Sequence, residues 1–256
     1  MGAGIMIQSV ERAVMILQCF TRERPERRLT EIVEELDLHK STAHGLLNTL
    51  KHYRLVEQDP DTQRYRLGLG LLDLSGALLD RMDIRKAAEG IIREVCRSTD
   101  ETVHLVVLDG TDVVYIDKQE SNQSIRITTS IGTRYPAYAT GVGKAMLAYL
   151  PPEDVEKRLP AALKQLTNTT ITDRQALMGQ LADIRRRGYA TDDEEAIEGL
   201  RCAAAPIFDH HDRVVAAISI AGPSVRMTPE RLPELAVIVA DAARRISARL
   251  GHAVKF

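Results

Sequence analysis

The stretch from Leu29 to His52, LTEIVEELDLHKSTAHGLLNTLKH, constrains this chain most, because it reads as two short helices joined by a tight turn. In the first, Thr30 is expected to cap the helix, and Ile32, Val33 and Leu36 supply an apolar stripe. Asp37, Leu38 and His39 break the pattern. From Lys40 onward, Ala43, Leu46, Leu47 and Leu50 recur at i, i+3, i+4 and i+7, the spacing of one buried helical face. At about 100° per residue the outer face carries Ser41, His44, Gly45, Asn48 and His52, flanked by Lys40, Thr42 and Lys51. Such side chains reach base edges and phosphates when a helix lies in a major groove. The plainer reading is a solvated helical face.

The segment directly after the second helix favours nucleic acid. In YRLVEQDPDTQRYRLG, Leu55 to Glu57 and Tyr65 to Leu67 alternate apolar with polar around the turn Asp59-Pro60-Asp61, which predicts a hairpin. A basic strand with Arg64 and Arg66 directly after a candidate recognition helix makes a winged helix-turn-helix, with the hairpin on phosphates. The expected DNA-facing set is Thr30, Lys40, Ser41, Thr42, His44, Asn48, Lys51, Arg64 and Arg66.

Charge limits how such a module works. The whole chain, 256 residues, has a net charge of −2, and Met1 to Leu67 balances acids against bases, so Lys40, Lys51, Arg54, Arg64 and Arg66 act locally. One copy binds weakly, and a dimer or larger oligomer reading a repeated or palindromic site is expected. The length suits two domains. A hydrophobic fraction of 44% with no run near the roughly 18 apolar residues of a membrane span, and a start without signal-peptide character, lead to the expectation of a cytoplasmic protein. Cys19, Cys96 and Cys202 are odd in number and far apart, suggesting neither a disulfide frame nor a zinc knuckle.

Ahead of the two helices, Ser9 to Phe20 predicts a support helix capped by Ser9, with Val10, Val14, Ile16, Leu17 and Phe20 inward, and Arg22 to Arg28 a charged link. Gly68 to Asp83 reads as a leucine-rich helix broken at Gly76, whose apolar surface needs another subunit or its own C-terminal domain. Beyond it the pattern predicts a helix over Ile84 to Thr99 and strands over Thr102 to Leu108, Val113 to Lys118 and Ile125 to Ser130. It then predicts a helix over Thr172 to Gly188 with a Thr172 and Gln175 capping box and a Gly stop. Strands over Ala203 to Phe208 and Val214 to Ile220 come next, and a last helix to about Leu250 with Leu235, Val239, Ala242 and Ile246 on one face. Strand pairs interrupted by helices indicate an α+β sensor-like domain.

Two stretches in that domain suit a small molecule. AYATGVGKAMLAYL places Gly141, Val142 and Gly143 at a helix start, where free N–H groups favour an anion, unless the glycines serve close packing. It is no nucleotide loop, since Tyr138 and Ala145 stand where a P-loop needs glycine and Ser or Thr. In TDDEEAIEGLRCAAAPIFD the four acids Asp192 to Glu195 read plainly as a solvated loop, yet Gly199, Leu200 and Cys202 follow closely and lead into an apolar strand, and ISIAGP ends the next strand with Ser219. Were these ends to meet, N–H donors, an Asp192 acceptor and the Ser219 hydroxyl would suit a small hydroxy or keto acid. Tyr135 and Tyr138, beside the glycines, read as core.

QSVERAVMIL, LTEIVEELDLHKSTAHGLL, YRLGLGLLDL, ATGVGKAMLA, DDEEAIEGLRCAAAPIFD and AAISIAGPSVRMT, in this order over nearly the whole chain, resemble the IclR family of bacterial transcriptional regulators. The resemblance implies a winged helix-turn-helix over 1–68, a linker helix over 69–83 and a GAF-like effector-binding and oligomerisation domain over 84–256. It also implies homodimers that pair into tetramers, double-stranded operator DNA and a small organic acid as partners, and no cofactor or membrane. The C-terminal half, with VVYIDK, SIGTRYPAYATGVGKAMLA and AARRISARLG, is most similar to members responding to 2-keto-3-deoxygluconate and related sugar acids. Carried over, the effector contacts fall on Thr140, Gly141, Val142, Gly143, Asp192, Leu200, Cys202 and Ser219. Gly45 stands where relatives usually carry arginine, and Ala221 where a serine is common.

Two other classes compete. A hydrolase would use Cys202 or an acid of the Asp192 cluster, with His104, His210 or His211 to activate it, although no nucleophile motif supports this. A metal sensor would join Asp192, Cys202 and His210 or His211, in a spacing that matches no standard zinc pattern.

Overall fold

The computed structural model describes residues 6–80, 82–127 and 129–252, in two compact units, Met1–Arg81 and Met82–Phe256. The first unit runs α1 (Gln8–Gln18), β1 (Glu26–Arg27), α2 (Leu29–Leu36), α3 (Lys40–His52), β2 (Val56–Gln58), β3 (Tyr65–Leu67) and α4 (Gly70–Asp80). Ile16, Phe20, Ile32, Leu47, Leu50, Val56 and Tyr65 form its core, so both helices of the pair and both hairpin strands share one interior.

Several local expectations shift. Ile7, not Ser9, is the N-cap position of α1, and Val10 and Val14 are 58% and 46% exposed, whereas Ile16, Cys19 and Phe20 are buried. This helix carries two apolar stripes, and its sequence does not say which one meets the core. Thr30 does not cap α2. The Glu31 carboxylate accepts the Arg28 N–H at 2.9 Å, which moves the cap to Arg28 and leaves Thr30 exposed in the first turn.

The charged link holds a strand, β1, which pairs with β3 as Glu26 to Arg66 and Arg27 to Tyr65 and makes the wing sheet three-stranded, in the order β1-β3-β2. Arg27 is buried there because its guanidinium is satisfied by the Cys19 carbonyl at 3.0 Å and the Glu35 carboxylate at 2.6 Å. The wing turn is held by Asp59 Oδ1, which accepts the N–H groups of Asp61 and Thr62. α4 passes through Gly76 unbroken.

The second unit opens with α5 (Asp83–Thr99) and builds a six-stranded antiparallel sheet from β4 (Thr102–Asp109), β5 (Asp112–Gln119), β6 (Arg134–Pro136), β7 (Ala190–Asp193), β8 (Leu200–Phe208) and β9 (Val214–Pro223). Its order is β6-β5-β4-β9-β8-β7. Alternation assigns the faces. Val103, Leu105, Ala203, Ala205, Ile218 and Ile220 pack with α5 and with α9 (Leu232–Arg249), whose Leu235, Val239, Ala242 and Ile246 are buried as expected. Val106, Ala204 and Ala217 pack on the other face with α6 (Gly141–Leu147), α7 (Pro152–Arg158) and α8 (Arg174–Arg187).

Ile125 to Ser130 is not a strand; within it Thr128 lies outside the described residues, and the strand beside β5 is β6 instead. That segment is held by side chains, with Arg226 donating to the Ile125 carbonyl at 2.8 Å and Lys118 Nζ to that of Thr129. α8 is capped by Asp173, whose carboxylate accepts the Ala176 N–H at 2.7 Å, rather than by Thr172 with Gln175. Its Gly188 stop is left-handed, with φ at 84°.

α6 meets the preceding turn, Ala137–Ala139, closely enough that a methyl on Gly143 would stand 2.1 Å from the Ala137 carbonyl oxygen. Gly143→Ala is therefore expected to destabilise the protein by about 1–3 kcal/mol through overpacking. Gly90→Ala, at an exposed and open position of α5, is expected to raise stability by up to about 1 kcal/mol. Thermal melts in which the two variants move together would refute the close-approach explanation.

Candidate functional site

Two surfaces carry chemistry. On α3, Ala43, Leu47 and Leu50 are buried while Lys40, Ser41, His44, Asn48 and Lys51 are exposed, with Thr42 half-buried between. The Asn48 amide lies 3.3 Å from the His44 ring Nδ1, and Lys51 Nζ reaches Gln58 of β2 at 3.5 Å. Nothing lies within 4 Å of a methyl placed on Gly45, so this glycine is not demanded by packing. On the wing, Arg66 is held between Glu57 and Glu26, two acids that neutralise it, and Arg64 is half-buried.

The second surface is a cavity of about 30 Å³ in the C-terminal unit, enough for one water-sized occupant. Its wall gathers Thr140, Gly141 and Val142 from the start of α6, Asp192 from β7, Leu200 and Cys202 from β8, and Ser219 and Ala221 from β9. Register explains the meeting: Cys202 pairs with both Asp192 and Ala221, and Ser219 with His104. Gly143 is set against Ala137 rather than on this wall.

The same cavity includes residues that pattern reading passed over: His104 and Tyr115 from the sheet, Ile127 and Thr129, Tyr135, and Ala196 and Ile197. Alternation along β4 places His104 opposite in face to Val103 and Leu105, which was the available signal. Tyr135, expected in the core, stands on the cavity wall in edge contact with Tyr115, which in turn meets His104 with ring centres 5.0 Å apart. Tyr138 is a core residue, its hydroxyl donating to the Lys164 carbonyl at 2.7 Å.

Burial governs the electrostatics. The helix start is less free than its sequence suggests, since Thr140 Oγ1 accepts the Gly143 N–H at 3.1 Å and the Gly141 N–H faces Asp192 and Cys202. A methyl on Gly141 would stand 2.7 Å from Cys202 Sγ. Burial lifts the Asp192 carboxyl to about 7, against the opposing pull of Lys144 and of the Glu195 N–H, which Asp192 Oδ1 accepts at 2.9 Å. Burial and the Lys118 charge push His104 down to about 3, so it is a neutral ring bonded to the Thr129 hydroxyl. Burial also pushes the Cys202 thiol up, and it faces no charged histidine; a thiol so held is a poor nucleophile, which counts against hydrolysis.

His210 and His211 lie ring to ring, with centres 3.8 Å apart, past the far end of β8, and the six residue steps from Cys202 to Phe208 span about 20 Å of strand. They do not meet Asp192 and Cys202, and no group of three His, Cys, Asp or Glu side chains among the described residues is arranged to hold a metal.

Known proteins match both units. Residues 9–60 fit the IclR helix-turn-helix domain and residues 76–248 the C-terminal domain of the bacterial transcriptional regulator IclR. The HTH-type transcriptional regulator KdgR of Escherichia coli is 38% identical, over 96% of this chain and 94% of that protein. The crystal structure of the Thermotoga maritima IclR superposes with a TM-score of 0.80 at 33% identity, covering 96% of this chain and 100% of that one. An IclR homologue from Microbacterium hydrocarbonoxydans, solved with 4-hydroxybenzoate, gives a TM-score of 0.83 at 25% identity, covering 94% and 98%. With a helix-turn-helix and an α+β domain each matched along their length, this chain belongs to the IclR family of bacterial transcriptional regulators.

Proposed function

We propose that this regulator binds an operator through the outer face of α3 and tunes that binding by taking a small organic acid into the cavity at the start of α6. The carrying observation is that one enclosed space brings together a buried carboxyl (Asp192), a hydroxyl (Ser219), a thiol (Cys202), a neutral imidazole (His104) and the small residues of the α6 start. Polar groups of this density recognise a ligand rich in oxygen, and the apolar wall of Val142, Ile127 and Ile197 shields it from water. A keto or sugar acid has that chemistry, and the 4-hydroxybenzoate in a structural relative supports an organic acid as the class.

The effector would act by differential affinity for two subunit arrangements with different spacing of the DNA modules. Arg66 is paired with Glu57 and Glu26, which leaves Lys40, Lys51, Arg54 and Arg64 as the local cations, a small charge for one copy, so we read the working form as a dimer, or a dimer of dimers, that sums phosphate contacts over several copies. The domain division we propose is a DNA-binding domain over 1–68, a linker helix over 69–83 and an effector domain over 84–256.

Asn48→Ala is expected to cost about 1–3 kcal/mol of operator affinity with the salt dependence kept, whereas Lys51→Ala should weaken all sequences alike and lower the salt slope by about one. Footprints on the gene's own promoter region read both, and unchanged affinity in both variants would rule out α3 as the reading element. In a thermal-shift screen of keto, sugar and aromatic acids, a cognate acid at 100 times its Kd should stabilise the protein by about 2.7 kcal/mol. Ser219→Ala is expected to lower that response, and an equal response in this variant would place the ligand elsewhere.

A further inference from the structure

Behind the cavity lies an ion pair that neither operator reading nor ligand contact uses. Lys144 of α6 is 0% exposed and its ammonium donates to Glu195 Oε1, itself in a residue 5% exposed. The second oxygen, Oε2, is buried with no hydrogen-bond partner among the described residues. Glu195 is also tied by its main chain: its N–H to Asp192, its carbonyl to the Thr170 hydroxyl at 2.6 Å and to that of Thr167 at 3.2 Å. The pair therefore joins the helix whose first residues form one cavity wall to the loop whose Ala196 and Ile197 form another.

A buried pair of this kind adds little stability over apolar side chains of the same volume, so its presence calls for another use. Its neighbours supply one. Asp192 faces Lys144 from α6, Glu195 from the loop, Cys202 from β8 and Tyr115 from β5; across the cavity stands His104 of β4, with Lys118 and Glu120 behind it. Both cations backing the cavity thus already have a carboxylate partner, Glu195 for Lys144 and Glu120 for Lys118. Among the described residues an organic anion entering here meets no spare positive charge, and two ionised carboxylates side by side in a dry space repel strongly.

We propose that the Lys144–Glu195 pair is a positioning element of the effector site, holding Asp192 so that capture of an organic anion brings one proton from water onto the Asp192 carboxylate. The inference rests on the organic-acid reading of the cavity. The incoming anion and the proton enter together as a neutral sum, and the pair sets the pH at which this begins. Asp192 in the free protein lies at about 7, close enough to neutrality for a neighbouring anion to keep it protonated, whereas His104 at about 3 is far from accepting.

Linkage fixes the sign. The bound anion raises the Asp192 pKa above its free-state value, so affinity is flat below about pH 7 and weakens by up to about tenfold per unit above it until the raised pKa of the complex is passed. The two partners of the pair act oppositely on Asp192, with Lys144 lowering it more than Glu195 raises it. Glu195→Gln, which keeps an oxygen for Lys144, should move the bend to lower pH. Lys144→Met with Glu195→Met, which removes both charges, should move it to higher pH.

The experiment is calorimetric titration of the full-length protein with 2-keto-3-deoxygluconate, pyruvate and 4-hydroxybenzoate from pH 6 to 9, in buffers of differing ionisation enthalpy. In parallel, the Asp192 carboxyl of the free protein is followed by 13C NMR and assigned with Asp192→Asn. Expected are uptake of one proton per anion above the bend, a flat profile in Asp192→Asn, and bends displaced in opposite directions by the two pair variants. Binding that ignores pH, or displacement in the same direction in both variants, overturns the inference. If none of the three acids binds while the free-state carboxyl still moves oppositely in the two variants, the organic-acid reading fails and the pair's control of Asp192 stands.

Discussion

The register of three neighbouring strands, β4, β9 and β8, governs the C-terminal unit. Ser219 sits between His104 and Ala204, and Ala221 between Thr102 and Cys202. A slip by one residue would exchange the two faces, sending Ile218 and Ile220 toward α6 and burying Ser219 and Cys202 under α9. The alanines of β8 serve both sides, because Ala203 and Ala205 face α9 while Ala204 faces the α6 layer. Small side chains on a strand let the layers on either side approach, which is how a short helix start comes within contact distance of Cys202 and Asp192.

Legibility in the sequence tracked the type of force involved. The helix pair of the first unit and the long terminal helix were legible because their apolar periodicity is driven by a single buried face, as with Ala43, Leu47 and Leu50. The strand β1 was not, since Arg27 is buried by hydrogen bonds to Cys19 and Glu35, polar contacts that follow no strand or helix period and leave no apolar trace. The same holds for the Ile125 to Ser130 segment. Its apolar alternation resembles a strand, but Ile125 is exposed and the segment is held by Arg226 and Lys118.

The cavity was half legible. Thr140, Gly141, Val142, Asp192, Leu200, Cys202 and Ser219 lie on its wall, and they came from motif resemblance more than from spacing. His104, Tyr115 and Tyr135 belong to strands whose other face is core, and period-two patterning treats inward polar residues as exceptions rather than as a site. Lys144 was harder still: a lysine read on a sequence defaults to solvent, and only tertiary contacts reveal that it is wholly enclosed.

In the DNA-binding unit the wing sheet spends Arg66 on Glu57 and Glu26, so one of its cations serves the fold. What remains on α3 is a row of short polar side chains suited to reading edges, with Lys40 and Lys51 at either end of the helix to meet phosphates. The enclosed space in the other unit has a kinetic meaning of its own. A chamber of about 30 Å³ holds little more than one water, so a molecule the size of an organic acid fits only once wall side chains such as Tyr135, Ile127 or Ile197 shift. Capture of an organic acid then includes a rearrangement of that wall, which adds its own cost and its own timescale to binding.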